Sequence, residues 1–333
     1  MKQRRMGRTG LKVSEICLGT MTFAGQSDEM TSFRILDVAA ERGVTFLDTA
    51  DAYPIPPDPE TAGRTEEVIG RWLAAAPGRR HQFVVGTKCR IRVGHGPNDQ
   101  GLSRRHILAA CEASLRRLRT DSIDLYQAHL PDPETPIDET LRAFDDLVRA
   151  GKVRYAGCSN YPAWQLALAI GTSERLGSAR YDCVQPRYNV LFREIETELL
   201  PLCRDQGVGV IVYNPLAGGL LTGKHSHETS PEPGTRFSLG ASGELYRDRY
   251  WHAAQFEAVA TLKSYCQRRQ WNLATASVAW VLHQPGITSA IVGASRPDQL
   301  DASLAGAERA FDDEARSAFD AVWWSIPRRP AGR

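Results

Sequence analysis

Several features that would decide the class of this chain at once are missing from it. No apolar run approaches the ~18–20 residues that a helix needs to cross a bilayer, so no membrane span is expected. Neither sign of charge dominates: 41 Lys and Arg stand against 39 Asp and Glu, a formal charge of +2 spread along the chain. That balance gives no electrostatic case for a nucleic acid or membrane-surface partner. The seven cysteines (Cys17, Cys89, Cys111, Cys158, Cys183, Cys203 and Cys266) are odd in number, widely spaced and without a CxxC pair. Reduced thiols are expected, not a disulfide framework. The opening MKQRRMGRTGLKVSEI is basic but has no apolar centre, so a cytoplasmic protein without a secretory signal is expected. No repeat, low-complexity tract or linker interrupts the chain, and one domain over residues 1–333 is expected. No GxGxxG follows a strand, which leaves a Rossmann dinucleotide site unsupported.

What is present is an alternation of short apolar strands and amphipathic helices. Strands are predicted at Ile16–Met21, Thr45–Ala50, Phe83–Lys88, Ser122–His129, Val153–Ser159, Cys183–Asn189, Gly209–Pro215 and Ser289–Ser295, several apolar on both faces as buried parallel strands are. Between them, SRRHILAACEASLRRL places Ile107, Leu108, Cys111, Leu115 and Leu118 on one helical face, with Ser103 as N-cap. Similar patterns follow Asp138, Pro162, Glu194 and Pro297, and Gly43, Gly151 and Gly207 stand where helices should stop. The fold class expected is α/β, a (β/α)8 TIM barrel. Two additions decorate it: an N-terminal β-hairpin around Arg8-Thr9-Gly10, closing the barrel bottom, and a polar loop after strand seven, His225–Tyr250, long enough to serve as a lid.

Reactive groups in such a barrel sit at the C-terminal ends of the strands. Those ends carry Asp48 with Tyr53 just beyond, then Lys88, His129, Ser159-Asn160, Gln185 and Tyr213-Asn214. A lone lysine or histidine there is usually structural; four converging groups are hard to explain so. Their chemistry suits carbonyl reduction, which needs a hydride on carbon and a proton on oxygen. Tyr53 is the proton donor. Lys88 is expected to pull its pKa down from ~10, Asp48 to pair with Lys88, and His129 to hydrogen-bond the substrate oxygen.

Asp48-Thr49-Ala50-Asp51-Ala52-Tyr53, Gly86-Thr87-Lys88, His129 and Gly157-Cys158-Ser159-Asn160 together resemble the Asp/Tyr/Lys/His tetrad and flanking motifs of the aldo-keto reductases. The resemblance runs from Leu18-Gly19-Thr20-Met21 to Val292-Gly293-Ala294-Ser295, and is strongest to the branch with Tas-like proteins, potassium-channel β subunits and deoxysugar-pathway reductases. It implies cofactor contacts at Gly19, Thr20, Met21 and Asp48. Ser159, Asn160 and Gln185 would bind the nicotinamide carboxamide, and Tyr213 would stack on the ring. Asn214, Pro215, Leu216, Ala217, Gly218 and Lys224 would line the pyrophosphate, Arg236 closing over it. Gly293, Ser295 and Gln299 would hold the adenosine end. Arg296, just before a Pro-led helix start, is placed for a 2′-phosphate, so NADPH is expected ahead of NADH. Ala302 and Ser303 depart from the Glu and Asn that similar proteins carry near adenine.

A second departure follows Tyr53, where Pro54–Arg64 holds four prolines in six residues and is expected to form a stiff rim at the substrate entrance. His225-Ser226-His227 imitates a metal pair but opens a polar loop without a third ligand, so no metal is expected. The reading is an NADPH-dependent reductase of a small carbonyl compound. A nucleotide-keto-deoxysugar reductase and an NADPH-binding regulatory subunit are the alternatives. Specificity would lie in Pro54–Arg64, Ile91–Gly101, Pro131–Pro136 and Ser226–Tyr250; neither the substrate nor the oligomeric state is fixed by the sequence.

Overall fold

The computed structural model describes residues 1–327. The chain opens with β1 (Gln3–Arg5) antiparallel to β2 (Lys12–Ser14). Eight further strands follow: β3 (Ile16–Gly19), β4 (Phe46–Asp48), β5 (Val84–Cys89), β6 (Ile123–Ala128), β7 (Val153–Ser159), β8 (Tyr181–Gln185), β9 (Gly209–Val212) and β10 (Ile287–Gly293). They pair in parallel in chain order, and β10 closes on β3, so the sheet is a complete eight-stranded barrel. Around it run α1 (Glu29–Glu41), α2 (Arg64–Ala74), α3 (Arg79–Gln82), α4 (Arg104–Leu118), α5 (Ile137–Arg149), α6 (Ala163–Leu176), α7 (Leu199–Gln206), α8 (Gly240–Tyr250), α9 (Ala253–Arg268), α10 (Leu273–Leu282), α11 (Leu300–Ala305) and α12 (Asp313–Ser325).

The local chemistry expected of these elements is in place. Ser103 caps α4 by accepting the His106 amide at 3.3 Å. On α5 the buried face is Thr140, Leu141, Ala143, Phe144 and Leu147, a helical stripe turned to the barrel wall. None of the described helices is long and apolar enough to cross a membrane.

Side chains of the strands alternate between two cores. One set (Ile16, Leu18, Leu47 and Val85 among it) packs outward under the helices. The other set (Cys17, Phe46, Leu125, Cys183, Ile211 and Ile291) fills the barrel together with Met6 and Val13 of the hairpin. Further along four of the strands, on the same inward face, stand Asp48, Lys88, Gln127 and Gln185 in place of apolar groups. The barrel interior is therefore an apolar layer with a polar layer above it, toward the C-terminal ends.

The hairpin closes the opposite end, as expected. Met6 is fully buried against Gly209 at the start of β9, and the Arg8 amide donates to Gly207 O at 2.7 Å. The approach is so close that a Cβ on Gly7, which sits at φ +51°, would lie 2.3 Å from Gly207 O; only glycine fits.

Two expectations need correction. Several ladders stop short of the apolar runs that suggested them: β8 ends at Gln185 because Pro186 has no N–H to continue it, and β4 covers only Phe46–Asp48 of Thr45–Ala50. The segment after β9 is not a loop throughout. A 3-10 turn at Arg236–Ser238 and the helix α8 occupy its second half, anchored by buried Phe237 packing at 4.8 Å on Trp251. GASGELYRDRY carries two glycines and almost no apolar stripe, so periodicity could not show this helix.

Met6→Ala removes the side chain that plugs the barrel base. It should cost about 2–5 kcal/mol, read as a lowered urea midpoint with the circular dichroism spectrum of the folded state retained.

Candidate active site

The site grows out of the polar layer. Lys88 is wholly buried, and its ammonium donates to Asp48 Oδ2 at 2.6 Å and to Thr49 O at 2.7 Å. Asp48, only 3 % exposed, receives further hydrogen bonds at Oδ1 from Gln185 Nε2 at 2.8 Å and Gln127 Nε2 at 3.3 Å. Both charges are thus taken out of water but paired with each other and further hydrogen-bonded, the condition under which such a pair is tolerated. Burial alone would push the Lys88 pKa down; the Asp48 carboxylate, together with Tyr53, outweighs it, and Lys88 is held above its ordinary value.

Tyr53 follows β4 in a tight course pinned by the Asp51 amide on Lys88 O at 3.1 Å and its own amide on Ala50 O at 3.2 Å. The Lys88 ammonium lies 5.2 Å from the centre of its ring. The expectation that Lys88 lowers the Tyr53 pKa is met only as a partial effect. Burial raises it, Lys88 lowers it, Asp48 raises it again, and the net position is above the ordinary 10.0. Tyr53 is therefore a neutral phenol at neutral pH, held as an acid and not poised as a phenolate.

His129 stands edge-on to Tyr53, ring centres 5.9 Å apart, its amide bound to Cys89 O at 2.9 Å. Burial, with the charges of Lys88 and Arg90, takes its pKa well below 6.5, so the imidazole is neutral. Its Nδ1 has no partner among the described residues.

All four of these residues converge on one end of a cleft of about 650 Å³, Lys88 lying just beneath the wall that the other three help form. The remaining expected positions are distributed along the same cleft. Gly19, Thr20 and Met21 form one wall; Ser159, Asn160 and Gln185 the floor; Tyr213, Asn214, Pro215, Leu216, Gly218 and Lys224 the side after β9; and Gly293, Ser295, Arg296 and Gln299 the end after β10. Arg236 crosses from the segment after β9, its Nη1 2.8 Å from Met21 Sδ. Ala217 is the exception. It is fully buried in the turn, its amide on Asn214 O, and does not reach the cleft wall.

Internal bonds define what these groups can offer. Ser159 Oγ donates to Gln185 O, Asn160 Nδ2 donates to Ser159 Oγ and His129 O, and Tyr213 Oη donates to Asn160 Oδ1. Gln185 uses its Nε2 on Asp48 and on Gln127 Oε1, leaving its own oxygen without a partner among the described residues. Arg296 is exposed and engaged by Asp298. Ser303 is buried, Ala302 O accepts the Thr275 hydroxyl at 2.8 Å, and neither residue lines the cleft. Of the paired histidines, His225 packs edge-on to Phe237 and Trp251 and His227 lies against Phe256.

Some cleft residues were not anticipated. Ile55, Ile91, Leu130, Leu245, Tyr246 and Arg249 line it, all but Leu130 from segments expected to set specificity. Tyr246 bonds Asn214 Oδ1 at 3.3 Å and leans over Gly218, where a Cβ would meet its ring at 2.6 Å. Gln127 was also missed, although its place two residues before His129 in a strand puts it on the inward face.

Comparison with known proteins agrees with this geometry. The aldo/keto reductase family matches residues 15–323. A Bacillus subtilis protein described as the uncharacterised oxidoreductase YrpG is 40% identical over 94% of this chain and 93% of its own length. An Arabidopsis thaliana protein described as a probable voltage-gated potassium channel subunit beta is 36% identical over 91% of this chain and 90% of its own. Human aldo-keto reductase family 7 member A3 is 32% identical over 92% of both.

The ion pair sets a thermodynamic expectation. Lys88→Met strands a buried carboxylate and should cost about 3–5 kcal/mol; the double variant Asp48→Asn/Lys88→Met should recover most of that. Denaturation midpoints of the two variants check it, and equal losses would argue against coupling.

Proposed function

This chain belongs to the aldo/keto reductase family and is an NAD(P)H-dependent oxidoreductase; from that premise we propose that it reduces an aldehyde or ketone to the alcohol with NADPH, Tyr53 delivering the proton. The observation that carries this reading is the meeting of a neutral phenol, a neutral imidazole and a buried ammonium–carboxylate pair at one end of one cleft. The cleft's donors and acceptors suit an extended nicotinamide dinucleotide. Tyr213 offers a flat platform, Gln185 a free amide oxygen, Lys224 and Arg236 positive charge after β9, and Arg296 a guanidinium for a 2′-phosphate. When bound, that coenzyme supplies the hydride.

The chain's own residues handle the oxygen. A neutral His129 keeps one ring N–H with which to donate a hydrogen bond to the carbonyl oxygen. As negative charge develops there, Tyr53 Oη transfers its proton; an alkoxide is more basic than a phenolate, so a raised phenol pKa is no obstacle. Lys88, fixed by Asp48, then stabilises the phenolate left behind. The apolar Ile55, Ile91 and Leu130 on the rim favour a carbonyl compound with an apolar body.

NADPH with a panel of aldehydes should lose reduced-nicotinamide absorbance. Tyr53→Phe should lower kcat by about 10²–10⁴-fold while coenzyme affinity holds. Absence of turnover on every panel member, with NADPH demonstrably bound, would overturn the reading. The pH profile of reduction should show no inflection between 6.5 and 10.0, because His129 titrates below that window and Tyr53 above it. Alcohol oxidation, which needs the phenolate, should instead rise with pH. The relative described as a potassium channel subunit favours one second reading, a coenzyme-holding partner subunit. Unchanged cellular function in Tyr53→Phe would support it.

A further inference from the structure

Gln127 belongs to none of the roles assigned above, yet it is fully buried at the centre of the polar layer. On β6 it stands in register between Lys88 of β5 and Gly157 of β7. The missing side chain at Gly157 makes room for it: a Cβ there would press on Gln127 Cγ at 3.2 Å and on Cys183 O at 3.0 Å. A polar amide has been fitted into a space that a leucine would otherwise fill.

Its hydrogen bonds have only one consistent orientation. The Asp48 carboxylate paired with Lys88 can only accept, so the atoms of Gln127 and Gln185 that approach its Oδ1 must be the nitrogens. With Nε2 of Gln127 committed to Asp48, its oxygen points the other way and accepts the second N–H of Gln185 at 3.2 Å. Gln185 is thus held by both of its N–H groups, and its oxygen alone is presented to the cleft.

We propose that Gln127 is a positioning residue that locks the Gln185 amide oxygen-outward, so that the site reads the N–H of the coenzyme's carboxamide and not merely its carbonyl. The proposal rests on the nicotinamide reading above and concerns a residue that never touches the coenzyme. Removing Gln127 leaves Gln185 on a single bond, free to swing, and the selectivity for the amide falls.

The test compares equilibrium binding of NADPH with that of its 3-acetylpyridine analogue, in which a methyl replaces the carboxamide nitrogen. Quenching of tryptophan fluorescence gives both Kd values without turnover. The unaltered protein should prefer NADPH by about ten- to a hundredfold, the range expected when a desolvated acceptor loses its donor. Gln127→Met, of similar volume but without polar atoms, should reduce that ratio at least about threefold. Gln127→Leu, likewise without polar atoms, should lower the ratio in the same way and serves alone if the methionine form does not fold. A ratio unchanged in whichever of these two variants folds would overturn the proposal. So would equal affinity of the unaltered protein for the two coenzymes. Failure to bind NADPH at all would overturn the coenzyme reading itself, a result separable from these.

Discussion

An ammonium ion with no access to water is the constraint around which the barrel's upper half is arranged. Lys88 can remain charged only because Asp48 lies 2.6 Å away, and Asp48 in turn needs donors for its other oxygen. Gln185 and Gln127 supply them, and each amide thereby acquires a fixed direction. Thr49 O accepts a further hydrogen bond from the ammonium, which holds the chain leading to Tyr53 against β5. One pair of charges thus bears on where the phenol stands, shares with burial in setting its acidity, and fixes which face of an amide the cleft sees. An apolar pair of similar volume could be as stable, but it would leave these side chains without an orientation.

The fold was legible because parallel strands covered by helices are apolar on both faces, while helices repeat every three or four residues. Strand ends were less so. Apolar residues continue past the last ladder bond, and a proline such as Pro186 ends a ladder without ending the apolar run. The tetrad was legible from its positions at strand ends, since the strand period alone puts Asp48 and Lys88 inward. Gln127 obeyed the same period but had no motif around it that drew notice. The acidity of Tyr53 could not be read from its neighbours in sequence, because it is a contest between burial and charge that only the packed site decides. Arg249 and Tyr246 were hidden for another reason: α8 has too little apolar pattern to reveal which of its sides faces the cleft.

The segment after β9 joins these levels. Its aromatic anchors, Phe237 and Trp251, belong to the fold, while Arg236, Tyr246 and Arg249 belong to the cleft. Gly218 connects the two, since only a residue without a side chain lets the Tyr246 ring lie over the turn after β9. The wall of the site is therefore partly a packed helix and not a free loop, and its side chains are positioned by a buried cluster of rings.

The closure of β10 on β3, together with the hairpin beneath, has a consequence for how the chain folds. Ser289 Oγ bonds Ser14 O and Arg4 bonds Ile287 O, contacts 275 and 283 residues apart in the chain. Contacts of such separation incur their loop-closure entropy before they return any stability, and they dominate folding rates when they are numerous. The first strands have no parallel partner on that side until the last strand is available to them. Until that seam forms, the barrel is an open sheet with two unpaired edges, the arrangement most prone to association with other chains.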